Sequence, residues 1–162
     1  TFSEPYVDNS IVFVVMNDSD IRTEADLAGK VVVTQADSSA LAALTNTEDN
    51  DENLALAASF AALEQVADYN TAFMELESGV VDAIAVDIGV AQYQLTSRGD
   101  TFRQLEEPLS TEQYAIAFKL GNTELRDQVQ ATLDEMLEDG TFDEIVANYS
   151  DYNLDKMVCL GK

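Results

Sequence analysis

Residues 79–87, GVVDAIAVD, form a short run that is apolar on both faces and ends on a carboxylate. A strand with one face in water alternates apolar and polar residues. A run that is apolar at odd and even positions alike needs cover on both faces, which strands of a parallel sheet obtain from flanking helices. Residues 11–16 (IVFVVM) and 30–34 (KVVVT) have the same character. Three such strands point to an α/β fold with a mostly parallel sheet flanked by helices. In open α/β sheets, ligands bind outside the carboxyl ends of strands, which makes Asp87 the first candidate for ligand contact. The same position suits an Asp that caps the following helix, and spacing alone leaves both readings open.

Between these runs the pattern is helical. Residues 23–27 read as one helical turn closed by Gly29, residues 40–44 as a helix, and the Ala-rich residues 54–63 as helix again. Residues 65–69 read as a strand. Asn70 is expected to cap a helix through Ser78, with Phe73, Met74 and Leu76 on its apolar face and Gly79 as its stop. A helix over 88–97 ends at Gly99, and residues 101–105 form a short strand. This repeated strand-helix order predicts a mostly parallel sheet with right-handed crossovers. Further on, residues 114–118 read as a strand. Residues 123–138 read as a helix with Leu125, Val129, Leu133, Met136 and Leu137 on one face, and residues 142–149 as a last short helix after Gly140. Residues 151–162 show no pattern and are expected to form a loose tail. Linker-like stretches near residues 3–10 and 106–111 bracket the α/β part. The strand and two helices after the second stretch are too few to bury a core alone.

Gln35-Ala36-Asp37-Ser38-Ser39 joins a strand to a helix. A helix start offers free N–H groups, and the hydroxyls of Ser38 and Ser39 add donors, so the turn is a candidate anion site. A serine there also serves as an ordinary cap, and both roles can hold together. The acidic residues 46–53 (NTEDNDEN) lack the central Gly and terminal Glu of an EF-hand loop, so a solvated loop is expected and no metal. The chain carries 8 Lys and Arg against 31 Asp and Glu, a net charge of −23, which repels nucleic acid and anionic membrane surfaces. Histidine is absent and Cys159 is the single cysteine, which removes Ser-His-Asp and Cys-His triads, His-containing zinc sites and any internal disulfide. No cofactor is expected. No apolar run approaches the length of a membrane span and no signal peptide is present; a secreted protein without its leader looks the same.

Several segments, in order, resemble the bacterial extracellular solute-binding proteins of family 3, the amino-acid receptors of ABC importers. Phe2-Ser3-Glu4-Pro5-Tyr6 resembles the FS-x-PY segment that leads into the first hinge. Asp26-Leu27-Ala28-Gly29-Lys30-Val31-Val32-Val33 resembles the start of the second lobe, and residues 79–87 its G-x-V-D-A-x-x-x-D strand. Pro108-Leu109-Ser110, followed by Tyr114-Ala115-Ile116-Ala117, resembles the return hinge, and Asp139-Gly140-Thr141-Phe142 the late D-G-T-(Y/F) turn.

The resemblance implies a periplasmic-binding-protein type II fold, with two α/β lobes joined by two crossovers and the ligand in the cleft between them. Residues 1–10 would lead into the hinge, 11–105 form the second lobe, 106–113 the return hinge, 114–150 the C-terminal part of the first lobe, and 151–162 a tail. The N-terminal part of the first lobe, with the arginine that grips the ligand carboxylate, would lie outside this chain, so the fragment alone is expected to bind weakly or not at all. By the same resemblance Asp87 binds the ligand α-ammonium. Ser38 and Ser39 match the hydroxyl pair that binds the α-carboxylate, Gln35 lines the pocket, and Asp82 is structural. Asp37 departs from the pattern, standing where the family usually has Gly. The implied role is non-enzymatic capture of an amino acid or similar zwitterion by a monomer that hands it to the membrane permease of an ABC importer. The implied location is extracellular or periplasmic, with a lipid anchor on the full-length precursor as one form. The same architecture also serves in ligand-sensing domains of receptors and sensor kinases, and in dehydratase-like enzymes.

Overall fold

The computed structural model describes residues 1–46 and 51–161. In chain order its elements are β1 (Val7–Asp8), β2 (Ile11–Met16), β3 (Val31–Gln35), α1 (Ser39–Thr45), α2 (Asp51–Ser59), β4 (Ala62–Val66) and α3 (Tyr69–Glu77). Then come β5 (Ala83–Asp87), α4 (Ile88–Arg98), β6 (Phe102–Gln104), β7 (Gln113–Tyr114), α5 (Thr123–Glu138) and α6 (Thr141–Ala147). The chain divides into two compact units, one of Ser10–Thr111 and one of Thr1–Asn9 with Glu112–Lys162.

The Ser10–Thr111 unit is built on a five-stranded sheet in the order β4-β3-β5-β2-β6. Strand β3 runs parallel to both β4 and β5, whereas β2 runs antiparallel to β5 and β6. Four strands therefore share one direction and β2 alone opposes them, so the sheet is mixed. The repeated strand-helix order misses this because β2 is followed by a single 3-10 turn, Glu24–Leu27, instead of a crossover helix. Residues Ile11, Phe13 and Val15 enter one apolar layer with Leu27, Val32, Leu44 and Ala85. Val12 and Val14 enter the other, with Val33, Phe73, Leu76, Ile84 and Val86. The two-sided cover explains the unbroken apolar run, and each fully buried Val, Ile or Phe contributes about 1.5–3 kcal/mol.

Local misreadings in this unit share one cause, which is pairing with distant backbone. The Ala-rich stretch ends its helix at Ser59, and Ala62–Val66 becomes strand β4, not residues 65–69. Ala61 N donates to Lys30 O at 2.8 Å, and Val31 pairs with Ala62, so the free edge of β3 outweighs the helix propensity of alanine. Because β4 ends early, Asp68 caps α3 instead of Asn70, accepting from Thr71 N at 3.0 Å. Met74 faces out at 57% exposure, while Phe73 and Leu76 are buried as expected. Asp51, Glu52 and Asn53 open α2 and are not part of a loop; the rest of the acidic segment, residues 47–50, lies outside the described residues. Asp82 is scaffold: its Oδ2 accepts from Val31 N at 2.8 Å while its own N–H donates to Val31 O at 2.9 Å.

In the other unit, β1 pairs antiparallel with β7, Val7 opposite Tyr114. The expected strand over 114–118 is interrupted: β7 covers Gln113–Tyr114, Ser3 Oγ accepts from Ile116 N at 2.9 Å in place of ladder backbone, and antiparallel pairing resumes between Phe2 and Ala117. Helix α5 covers the predicted residues 123–138, yet none of its residues is buried and Leu125 is 46% exposed. The tail is not loose. Asp8 N donates to Met157 O at 2.7 Å and Cys159 N to Tyr6 O at 3.1 Å, with Met157 and Leu160 buried.

Candidate functional site

Three parallel strands, β3, β4 and β5, end at the same edge of the sheet, and each runs into a helix. Gln35 pairs with Val66, Ala36 N donates to Val66 O at 2.9 Å, and Thr34 Oγ1 donates to Ala85 O at 2.9 Å. These bonds hold the three strand-to-helix turns together, so residues far apart in sequence share one surface.

Ser38 is the cap of α1. Its hydroxyl donates to Gln35 O at 2.7 Å, accepts from Leu41 N at 3.1 Å, and lies 3.3 Å from Thr34 Oγ1. The hydroxyl proton is therefore spent inside the turn, and of the two roles open to Ser38 the capping role is filled. Ser39 is exposed in the first turn of the same helix, and Gln35 is half-buried at the end of β3. Asp37 has φ +57°, in the left-handed region, and is exposed. Glycine is the usual solution to that conformation, and Asp is among the few residues that also adopt it. The departure from the family pattern thus keeps the turn, and the exposed charge is screened by water.

Asp87 stands at the end of β5, half-buried, at the cap position of α4, and its side chain makes no capping hydrogen bond. The first amide of that helix, Ile88 N, donates instead to Ser10 O at 2.9 Å. That bond continues the β2–β5 pairing by one residue, and the Asp87 side chain does not fill the capping role.

The residue that sequence reasoning missed is Tyr69, in the first turn of α3. Its phenol oxygen is buried and makes no hydrogen bond. The groups that act on it are Ser38, Thr34, the Gln35 backbone and the charge of Asp87. Burial pushes the phenol pKa up against the pull of the Ser38 and Thr34 hydroxyls, and the Asp87 carboxylate adds to the push. The phenol thus keeps its proton at neutral pH. The sequence carried one signal for it: Val66-Ala67-Asp68-Tyr69 repeats the strand, turn and helix start seen at Gln35–Ser39. Reading that segment as strand through Tyr69 hid the repeat.

The strand ends therefore carry a half-buried carboxylate that can accept, Asp87, and the exposed residue Ser39, whose hydroxyl can donate, while the Tyr69 phenol oxygen is buried. A carboxylate in such a setting forms charge-assisted bonds to a cationic donor roughly twice as strong as neutral ones. Among the described residues, no group of three or more Cys, Asp or Glu is placed to hold a metal ion.

Residues 1–152 match the family model of the bacterial extracellular solute-binding proteins, family 3. The chain is 29% identical to the ABC transporter glutamine-binding protein GlnH of Bacillus subtilis (strain 168) over 146 residues, covering 89% of this chain and 49% of that one. It is 35% identical to the L-cystine-binding protein TcyA of the same organism over 149 residues, covering 89% and 50%. The chain spans about half the length of these curated relatives. Among solved structures, a substrate-binding protein of an ABC uptake transporter from Streptococcus pneumoniae with bound histidine superposes with a TM-score of 0.71 at 27% identity, covering 91% of this chain and 60% of that one. An ancestral arginine-binding protein bound to arginine gives 0.64 at 33% identity, covering 91% and 62%. The strands, their turns and these likenesses agree, and the chain belongs to the bacterial extracellular solute-binding proteins of family 3.

Proposed function

We propose that this chain is part of the extracellular substrate-binding component of an ABC importer, and that its Ser10–Thr111 unit recognises the backbone of an amino acid. The observation that carries this reading is the meeting of three strand-to-helix turns, which sets Asp87 beside a hydroxyl-rich turn. Relatives named for glutamine, cystine, arginine and histidine bind side chains of different size and charge. Their ligands share only the α-ammonium and α-carboxylate, so a surface common to the family is best matched to those two groups. Asp87 accepts from the ammonium. Ser39 and the amides beside it donate to the carboxylate, Ser38 holds the turn that presents them, and Gln35 borders the bound ligand. The role is capture and release with no bond made or broken, by a monomer kept soluble by its net charge of −23 and delivering to a membrane permease.

The test is calorimetric titration of the full-length gene product against the twenty proteinogenic L-amino acids, with and without Asp87→Ala. Loss of a charged hydrogen-bond partner is expected to weaken the best ligand by at least about tenfold. An unchanged affinity refutes the role of Asp87, and binding of none of the twenty refutes the ligand class.

A further inference from the structure

We infer that this site selects amino acids whose side chain is cationic; the inference rests on the reading of Asp87 and the Gln35–Ser39 turn given above. In that reading Asp87 meets the ligand ammonium and the Ser39 turn meets the ligand carboxylate. Those two ligand charges cancel, so the charge left to discriminate is that of the ligand side chain. The surface it meets is acidic. Each of the three strand-to-helix turns carries one carboxylate, Asp37 after β3, Asp68 after β4 and Asp87 after β5. Asp37 and Asp68 are exposed. Asp68 accepts from Thr71 N at 3.0 Å and from Thr71 Oγ1 at 3.1 Å, neutral donors that leave its charge in place. Neighbouring strands lie about 4.8 Å apart, so the turns after β3 and β4 stand within about 10 Å of the end of β5.

No Lys or Arg lies in these turns. The Ser10–Thr111 unit has four, Arg22, Lys30, Arg98 and Arg103, and the fold places them elsewhere. Lys30 precedes β3, so the whole strand, about 17 Å, separates it from the turn at the other end. Arg98 ends α4, about 16 Å of helix away from Asp87, and pairs with Glu77 at 2.9 Å. Arg22 lies in the loop that leaves the opposite end of β2, and Arg103 donates to Ser19 O in that loop at 3.1 Å. The Debye length is about 10 Å at 0.1 M salt, so Asp37 and Asp68 act on a ligand held at Asp87, while Lys30 and Arg98 are screened from it. A cationic side chain gains from that field and a neutral one does not. An anionic side chain is repelled with no base to receive it, which is discrimination by an unfavourable contact as much as by a favourable one.

The test uses the full-length gene product and calorimetric titration of the twenty L-amino acids. Arginine or lysine is expected to bind tightest, and glutamate and aspartate not detectably. The tighter cation is then compared with its uncharged analogue, citrulline for arginine or norleucine for lysine, at about 20 mM and about 300 mM salt. A preference of at least about tenfold at the lower salt is expected, shrinking at least about threefold at the higher, because the charges are exposed. In the double variant Asp37→Asn/Asp68→Asn both acids are neutralised and the backbone is kept, since Asn also adopts the left-handed turn and also caps helices. There the ratio of cation to analogue is expected to fall about threefold; damage to the turn itself would weaken both ligands and leave the ratio as it was. A neutral or acidic amino acid binding tightest, a preference indifferent to salt, or an unchanged ratio in the double variant each overturns the inference while amino-acid binding stands. Binding of none of the twenty overturns the reading of the site, and the inference with it.

Discussion

Two aspartates five residues apart, Asp82 and Asp87, are expected to fail in opposite ways when truncated. Asp82 Oδ2 accepts from Val31 N at 2.8 Å, at the point where β3 enters the sheet. In Asp82→Ala that amide loses its side-chain acceptor, while the return bond from Asp82 N to Val31 O, 2.9 Å, is backbone and survives. A hydrogen bond to a charged group contributes about 1.5–3 kcal/mol. Both residues are half-buried, so water recovers part of the loss and the lower half of that range applies, about 1.5–2 kcal/mol. With a urea slope of about 1–3 kcal/mol per molar, the midpoint falls by roughly 1 M. Asp82→Asn keeps an acceptor oxygen and is expected to lose about half as much. The assay is urea unfolding followed by circular dichroism, paired with calorimetric titration of the tightest amino acid. Asp82→Ala should lower the midpoint and leave affinity within about twofold of the parent, whereas Asp87→Ala should lower affinity. An Asp82→Ala midpoint within about 0.2 M of the parent, or an affinity loss matching that of Asp87→Ala, refutes the assignment of scaffold and site to these two acids.

Two other predictions concern strain and charge. At Asp37, with φ +57°, Asp37→Ala should cost about 1 kcal/mol, a fall of roughly 4–8 °C in melting temperature for a unit of this size, whereas Asp37→Gly should not destabilise; equal melting temperatures for the two variants would remove the left-handed turn from the account. At Glu24, burial raises the carboxyl pKa above its ordinary 4.5 and the charge of Glu107 adds to the rise. The folded protein then holds this proton more tightly than the unfolded chain does. The resulting stabilisation is complete below the unfolded pKa and is lost as pH rises through the folded one. Glu24→Gln should therefore gain stability relative to the parent between pH 4 and pH 7 in urea titrations, and a constant gap across that range would contradict it.

What the sequence alone determined was what short-range pattern controls. The runs at residues 11–16 and 30–34 become strands, and of the expected strand over 79–87 only Ala83–Asp87 does, because Val80 is exposed and Asp82 is turned to the Val31 backbone; α5 follows its 3.6-residue period from first residue to last. Asp82, Asp87, Ser38 and Ser39 could be singled out because each lies beside such a run. The tertiary structure decided whatever depends on a distant partner. The exposed edge of β3 drew Ala62–Val66 out of a helical pattern, and that shift moved the cap of α3 to Asp68. The backbone of Tyr6 and Asp8 ordered a tail that has no pattern of its own. The antiparallel pairing of β2 with β5 runs on to a bond from Ile88 N to Ser10 O, and the Asp87 side chain makes no cap bond to α4. Tyr69 belongs to the same class, because nothing in its local sequence says that β3, β4 and β5 end side by side. Only that adjacency brings the Ser38 hydroxyl and the Asp87 charge to bear on its phenol, since strand order is set by non-local hydrogen bonds that no stretch of sequence holds alone.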